Sequence, residues 1–306
     1  IERAAKAKNK DTLLFCNEIS QIFKDLTKTL NLSNTDFIRT TEDRHKKSAT
    51  NIWNILEKKG EIYLSKYSGW YSVSDEAFYS EDEIEELDGN KQSVVSGSPV
   101  EWVEEESYFF KLSKWQEPLL SFYEENPDFI LPKTRKNEVV SFVRAGLKDL
   151  SISRKSFTWG IKVPSNNEHV IYVWLDALTN YISALNYPDQ NNDLYKKFWP
   201  ADVHIIGKDI LRFHAIYWPA FLLAADIKPP KRVYGHGWIL SGDEKMSKSK
   251  GNILDPLEII EKYGLDPLRY YLLKEVSFGN DGNISNEKLE SCINSDLANN
   301  YGNLCQ

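Results

Sequence analysis

Short apolar runs at residues 170–175, 203–206 and 232–235 alternate with helical patterns at 176–185 and 209–225. Short buried strands interleaved with amphipathic helices imply βαβ units, hence an α/β fold on a parallel sheet whose ligands bind at the carboxyl ends of its strands. The earlier residues are organised differently. Residues 12–30 and 44–59 read as helices flanking a short strand at 36–40. From 61 to 110, Tyr63, Tyr67, Trp70, Tyr71, Phe78, Tyr79, Trp102 and Tyr108 sit among short runs, with Gly69, Gly89 and Gly97 as turns. That is the pattern of a small antiparallel β module. Helical patterns return at 113–148.

A length of 306 residues predicts one large domain with an insertion, or two domains. Charge marks the insertion. Residues 61–128 hold 17 acidic and 4 basic side chains, against 28 acidic and 34 basic in the rest, so −13 in one segment stands beside +6 elsewhere. The acidic run 80–86 reads as a solvated face, while the basic remainder suits a polyanionic partner such as ATP or RNA. The longest apolar stretch, 213–225, is broken by His214 and Pro219 and falls short of the roughly 20 residues a membrane span needs. Cys16, Cys292 and Cys305 fit neither a disulfide framework nor a metal clamp, which favours a reducing compartment. The chain starts at Ile1 and its one methionine is Met246, and residues 295–306 read as a helix just beginning. Both features suggest a fragment of a longer protein.

Residues 242–252 read GDEKMSKSKGN, placing Lys245 and Lys248 in a polar loop between Gly242 and Gly251. Two ammonium groups on a glycine-hinged loop suit the stabilisation of charge developing on a phosphate chain during displacement at phosphorus. An exposed basic turn is the plainer reading, but a five-residue match of this kind arises by chance in roughly one in ten thousand chains of this length. On the predicted helix after Asp209, Ile210, His214 and Trp218 recur every four residues with Phe213 beside them. They share a face that is either a core stripe or a pocket suited to a polarizable thioether.

The lysine loop resembles the KMSKS signature of class I aminoacyl-tRNA synthetases. Together with the segments VHIIGKD at 203–209, VYGHG at 233–237 and YVWLDA at 172–177, it is similar to the methionyl-tRNA synthetase family over the whole chain. The resemblance implies a Rossmann-type parallel sheet split by an α+β connective insertion. Its expected parts are the remainder of the first Rossmann half (1–60), the insertion (61–128), the second half (129–240), the KMSKS loop with stem-contact-like helices (241–294), and the start of an all-α anticodon-binding domain (295–306).

The resemblance also implies ATP-dependent activation of L-methionine and its transfer to tRNA(Met), with Mg2+ accompanying ATP, in a cytoplasm of bacterial type or an organelle matrix. Lys245 and Lys248 are the expected catalytic residues. Gly207, Asp209, His236 and Lys248 are expected to contact ATP, and Trp174, Tyr181, Ile210, Phe213, His214 and Trp218 to line the methionine pocket. Asp209 also has the ordinary role of capping the next helix, and His236 that of a structural hydrogen bond. Arg154 matches a segment lining the cleft, with a plain ion pair as its alternative. Leu178 stands where members often carry proline. Many members bear a zinc knuckle in the insertion. Here Ser72, Asp75, Ser93 and Ser96 stand at those positions, so no structural zinc is expected. The family's HIGH motif and the acidic anchor for the substrate amine do not occur in residues 1–306. Alternatives are a class I synthetase for another apolar amino acid, or a non-catalytic tRNA-binding paralogue.

Overall fold

The computed structural model describes residues 1–72, 77–79, 81–87, 89–94, 96–241, 244–246 and 254–306. Three helices open the chain: α1 (Glu2–Ala7), α2 (Thr12–Thr29) and α3 (Asp43–Lys58). Asp11 starts α2 by accepting the Leu14 N–H at 2.9 Å. α2 buries no side chain and leaves Leu13, Leu14, Ile22 and Phe23 exposed. In α3, by contrast, Ala49, Ile52, Trp53 and Leu56 recur at helical spacing and are all buried. The strand expected at 36–40 does not form. Asp36 is held instead by Arg44, whose Nη1 and Nη2 donate to its two carboxylate oxygens at 2.7 and 2.9 Å.

The antiparallel module follows as β1 (Ile62–Ser72), β2 (Ala77–Tyr79), a hairpin of β3 (Ile84–Leu87) with β4 (Asn90–Ser93), and β5 (Glu101–Phe110). β1 and β5 pair in continuous register from Ile62↔Phe110 to Tyr71↔Glu101. Their lower end places Ile62 and Phe110 in the main core, while Trp70 and Trp102 meet edge to face at 5.3 Å towards the other end. Then come α4 (Gln116–Glu125), β6 (Ile130–Leu131), α5 (Lys133–Arg144), β7 (Leu150–Ser151), β8 (Ser153–Arg154), β9 (Lys162–Val163) and β10 (Asn166–Ile171). β7 joins the edge of β5, and β8, β10 and β9 form a second antiparallel sheet.

α6 (Val173–Ser183) begins two residues after β10. The apolar run 170–175 is therefore not a parallel strand: Val170 and Ile171 end an antiparallel one, and Trp174 and Leu175 start a helix. After α7 (Asp193–Phe198), β11 (His204–Gly207) and β12 (Val233–His236) do form the parallel sheet, in the order β11-β12-β6. Its third strand is the two-residue β6, in the Phe129–Ile130–Leu131 run within residues read as helical. Between β11 and β12 the expected helix is a 3-10 turn (Lys208–Ile210), a π-helical turn (Phe213–Tyr217) and α8 (Trp218–Ala224).

The last part comprises β13 (Ile239–Ser241), β14 (Glu244–Lys245), α9 (Pro256–Tyr263), α10 (Leu265–Glu275), β15 (Gly282–Asn283), α11 (Asn286–Cys292), a π-helical stretch (Ile293–Tyr301) and α12 (Gly302–Cys305). β13 pairs antiparallel with β14 and parallel with β15. Two cores result. The larger joins Trp53, Phe110, Phe129, Leu175, Trp218 and Phe221, and the smaller joins Ile259, Leu268, Tyr271, Ile284 and Leu289. Among the described residues no helix is long and apolar enough to cross a membrane.

Candidate active site

Parallel pairing brings the carboxyl ends of β11 and β12 side by side, with Gly207 opposite His236. This is the crevice where an open α/β sheet receives ligands. Gly207 occupies the cap position of the following 3-10 turn, so Asp209 does not cap it. The Asp209 carboxylate folds back over Gly207 instead, where a Cβ would lie 2.5 Å from its Oδ1. Only glycine admits that approach, and it leaves an exposed carboxylate at the mouth of the crevice. His236 is exposed, and its Nδ1 donates to Gly237 O at 2.7 Å. That ties its ring to the turn that leads into β13.

Beyond Asp209 the chain winds directly into a cluster of packed aromatic side chains. His214 is 3% exposed, and its Nδ1 lies 2.9 Å from the carbonyl of Ile210. A carbonyl only accepts, so Nδ1 carries the proton. Burial lowers the His214 pKa and keeps the ring neutral. Nε2 is then an acceptor, and the Tyr181 O–H donates to it at 2.7 Å. Burial pushes the Tyr181 phenol up to about 12, so it remains a donor. Trp218, fully buried, has its ring 6.4 Å from that of Tyr181. Trp174 stacks on Phe213 with centroids 3.3 Å apart. Ile210 is half-buried at the lip. Of the six expected pocket residues, Trp174 on α6 meets Phe213, and Tyr181 on α6 meets His214 and Trp218, while Ile210 offers its carbonyl to His214.

Other expected residues are placed differently. Arg154 is buried under the insertion, its guanidinium 3.7 Å from the centroid of Tyr172 and 5.5 Å from that of Tyr71. Its Nη1 donates to Ser151 Oγ and Ser153 O, so it braces the entry to α6. Leu178 is buried within an unbroken α6. Lys245 lies on β14, paired with Leu240, whereas Lys248 and Asp75 lie outside the described residues. Ser72 and Ser93 are fully buried, and Ser93 Oγ accepts the Ser96 N–H at 3.4 Å.

Two contributors escaped the sequence reading. His204, 4% exposed, stacks on Tyr181 with centroids 3.9 Å apart and lies 6.1 Å from the ring of Trp199. Burial pushes it down to about 3, so it is a neutral aromatic slab behind the pocket. A histidine inside an otherwise apolar strand was the available signal. His45 on α3 meets Asp176 Oδ1 at 2.6 Å and Ser183 Oγ at 3.1 Å. It thereby clamps both ends of the helix that bears Trp174 and Tyr181, and nothing local in the sequence links residues so far apart.

A family model described as tRNA synthetases class I (M) matches residues 1–88 and 85–306. The chain is 57% identical over 304 residues to the methionine--tRNA ligase of Rickettsia typhi, covering 99% of this chain and 59% of that protein. It is 52% identical over 312 residues to that of Oceanobacillus iheyensis, covering 99% of this chain and 46% of that protein. Mycobacterium tuberculosis methionyl-tRNA synthetase in complex with methionyl-adenylate superposes with a TM-score of 0.97 at 50% identity, over 100% of this chain and 60% of that one. Its apo form gives 0.87 at 48% identity, over 96% and 58%.

Proposed function

We propose that this chain, which belongs to the methionyl-tRNA synthetase family of class I aminoacyl-tRNA synthetases, supplies the methionine pocket and half of the ATP crevice of a methionine-activating enzyme. The chain spans about three-fifths of the Rickettsia relatives and solved structures it matches, and the boundaries at 60, 128, 240 and 294 are the division we propose for it. One observation carries the reading. The turn that carries Asp209 at the strand ends runs without interruption into the Phe213–His214–Trp218 cluster, so a nucleotide at the turn and a small apolar side chain received among those rings would be neighbours.

In the reaction, a methionine carboxylate oxygen attacks the α-phosphorus of ATP, the bond to the β-phosphate bridging oxygen breaks, and pyrophosphate departs. The adenylate then passes its acyl group to the terminal ribose of tRNA(Met). Gly207, Asp209 and His236 are assigned to the adenosine side. Lys245 and Lys248 are assigned to charge on the departing phosphates. Tyr181 and His214 offer the thioether a polar edge within an aromatic wall. Among the described residues no group of three or more His, Cys, Asp or Glu side chains is placed to hold a metal. Magnesium therefore enters the proposal only as the counter-ion of ATP, and no step is routed through it.

The test is ATP–pyrophosphate exchange by the full-length protein containing these residues, with each apolar amino acid in turn. Methionine alone should support fast exchange. A preference for leucine, isoleucine or valine would select another class I specificity, and absence of exchange would select the non-catalytic paralogue. The serines at 72, 93 and 96 offer poor zinc ligands. Metal analysis should accordingly find no stoichiometric zinc, and one tightly bound zinc per chain would refute that assignment. A cytoplasm of bacterial type is the proposed setting.

A further inference from the structure

Lys208 lies between Gly207 and Asp209, where a cation would be expected to reach for a nucleotide. It does not face the crevice. Its Nζ lies 2.7 Å from Asp281 Oδ2 and 4.1 Å from the centroid of Trp238. The other oxygen of Asp281 accepts the Trp238 N–H at 2.9 Å. One carboxylate is thus shared between the nucleotide turn and the residue that precedes β13. The shared position is rigidly framed. Gly282 N–H donates to Trp238 O and Ile284 N–H to Leu240 O, both at 2.9 Å, so β15 starts its pairing with β13 one residue after Asp281. A Cβ at Gly237 would collide with the Asn280 backbone, which shows how closely the segments leading into the two strands approach.

β13 pairs antiparallel with β14, which carries Lys245. The Trp238–Asp281 contact thus lies at the start of β13, and the Lys208–Asp281 contact at the Gly207–Asp209 turn. The lysine side chain is 18% exposed and the aspartate 34%, so water reaches the pair, and its effect is geometric more than energetic. Holding the nucleotide turn and the lysine hairpin in fixed relation matters when the lysines must meet charge that develops only in the transition state.

We propose that Lys208, Asp281 and Trp238 form a positioning joint that registers the lysine hairpin against the nucleotide turn and so controls the rate of adenylate formation without contacting either substrate. The inference rests on the methionine-activating reading of the site. Its test is single-turnover adenylate formation in the full-length enzyme with Lys208→Met, Asp281→Asn and the double variant. Each single change should slow the limiting rate by about 10-fold while ATP and methionine dissociation constants stay within about 2-fold. The double variant should be no slower than the slower single one, because both remove the same joint. The reversed pair, Lys208→Asp with Asp281→Lys, should recover part of the loss. Should Asp281→Asn lose its fold by thermal denaturation, Asp281→Glu keeps the charge, displaces the joint and carries the same expectation. Multiplicative losses would overturn the joint, as would a rise in ATP dissociation constant confined to Lys208→Met, which would make Lys208 a direct nucleotide contact. A parent enzyme that forms no adenylate would instead overturn the functional reading on which the joint depends.

Discussion

Tyr181 shows how a single side chain is assembled from distant parts of the chain. Its hydroxyl is aimed by His214, its face is backed by His204, and its helix is clamped by His45 through Asp176 and Ser183. The family resemblance assigned Tyr181 and His214 to one pocket, but nothing in the sequence shows their hydrogen bond, since α6 and the π-helical turn meet only in three dimensions. Tyr181→Phe removes the donor and leaves the ring. It should raise the methionine dissociation constant by about 5–10-fold, and His214→Ala by more, with ATP affinity within about 2-fold in both. Equilibrium binding of each substrate checks this, and a fall in ATP affinity with methionine affinity intact would reassign the residues. His204 and His214 also set a pH limit on the fold. Burial depresses both, His204 to about 3, so the folded protein keeps them neutral where the unfolded chain protonates them, near pH 6.5. The stability they contribute is complete above about pH 6.5 and is lost as pH falls towards about 3, on the order of a few kcal/mol in all. Melting temperature should therefore drop between pH 7 and pH 5, and drop less in His204→Phe. Equal drops in the parent and the variant would remove His204 from the account.

At the scale of elements, strength of pattern decided what could be read. α3 carries a regular helical pattern and forms where expected, and an antiparallel module forms within 61–110, though its long β1–β5 pair was not legible from the short aromatic runs. The run 170–175 carries six residues that suit a buried strand or a buried helix equally, and it divides between the two. β6, at two residues, is shorter than any sequence window, and only its neighbours Val233 and Tyr234 make it a strand. The turn at Lys208–Ile210 and the π turn at Phe213–Tyr217 are likewise set by packing of Phe213 on Trp174 and His214 under Tyr181. Two glycines allow a direct comparison of how tightly elements meet. At Gly235 a Cβ would rest 3.5 Å from Leu211 Cδ1, an ordinary contact, whereas at Gly237 it would strike the Asn280 backbone. Gly235→Ala should cost less than about 1 kcal/mol and Gly237→Ala about 2 kcal/mol or more, with loss of adenylation, because backbone cannot yield as a side chain does. Denaturant titration of both variants decides it, and equal costs would mean that the β13–β15 contact is looser than described.

At the scale of the whole molecule, exposed apolar surface shows what the described chain leaves uncovered. β11 ends the parallel sheet with Val203 40% and Ile205 60% exposed, and α2 presents Leu14, Ile22 and Phe23 to solvent. Such an edge invites pairing with another chain. The 306-residue polypeptide expressed alone should aggregate or bind hydrophobic dyes and show no methionine-dependent exchange. Adding the remaining part of the full-length protein, covalently or in trans, should restore both solubility and exchange, and robust exchange by the isolated polypeptide would refute the proposed division of labour. The separation into a large and a small core has a consequence of its own. A cluster as small as that around Ile259, Leu268 and Leu289 opens at lower cost than the core around Trp53 and Phe221, and contiguous units of unequal stability exchange their amide hydrogens at unequal rates. Ile284, which follows β15, lies in the small core, so amides of β15 should exchange sooner than those of the parallel sheet.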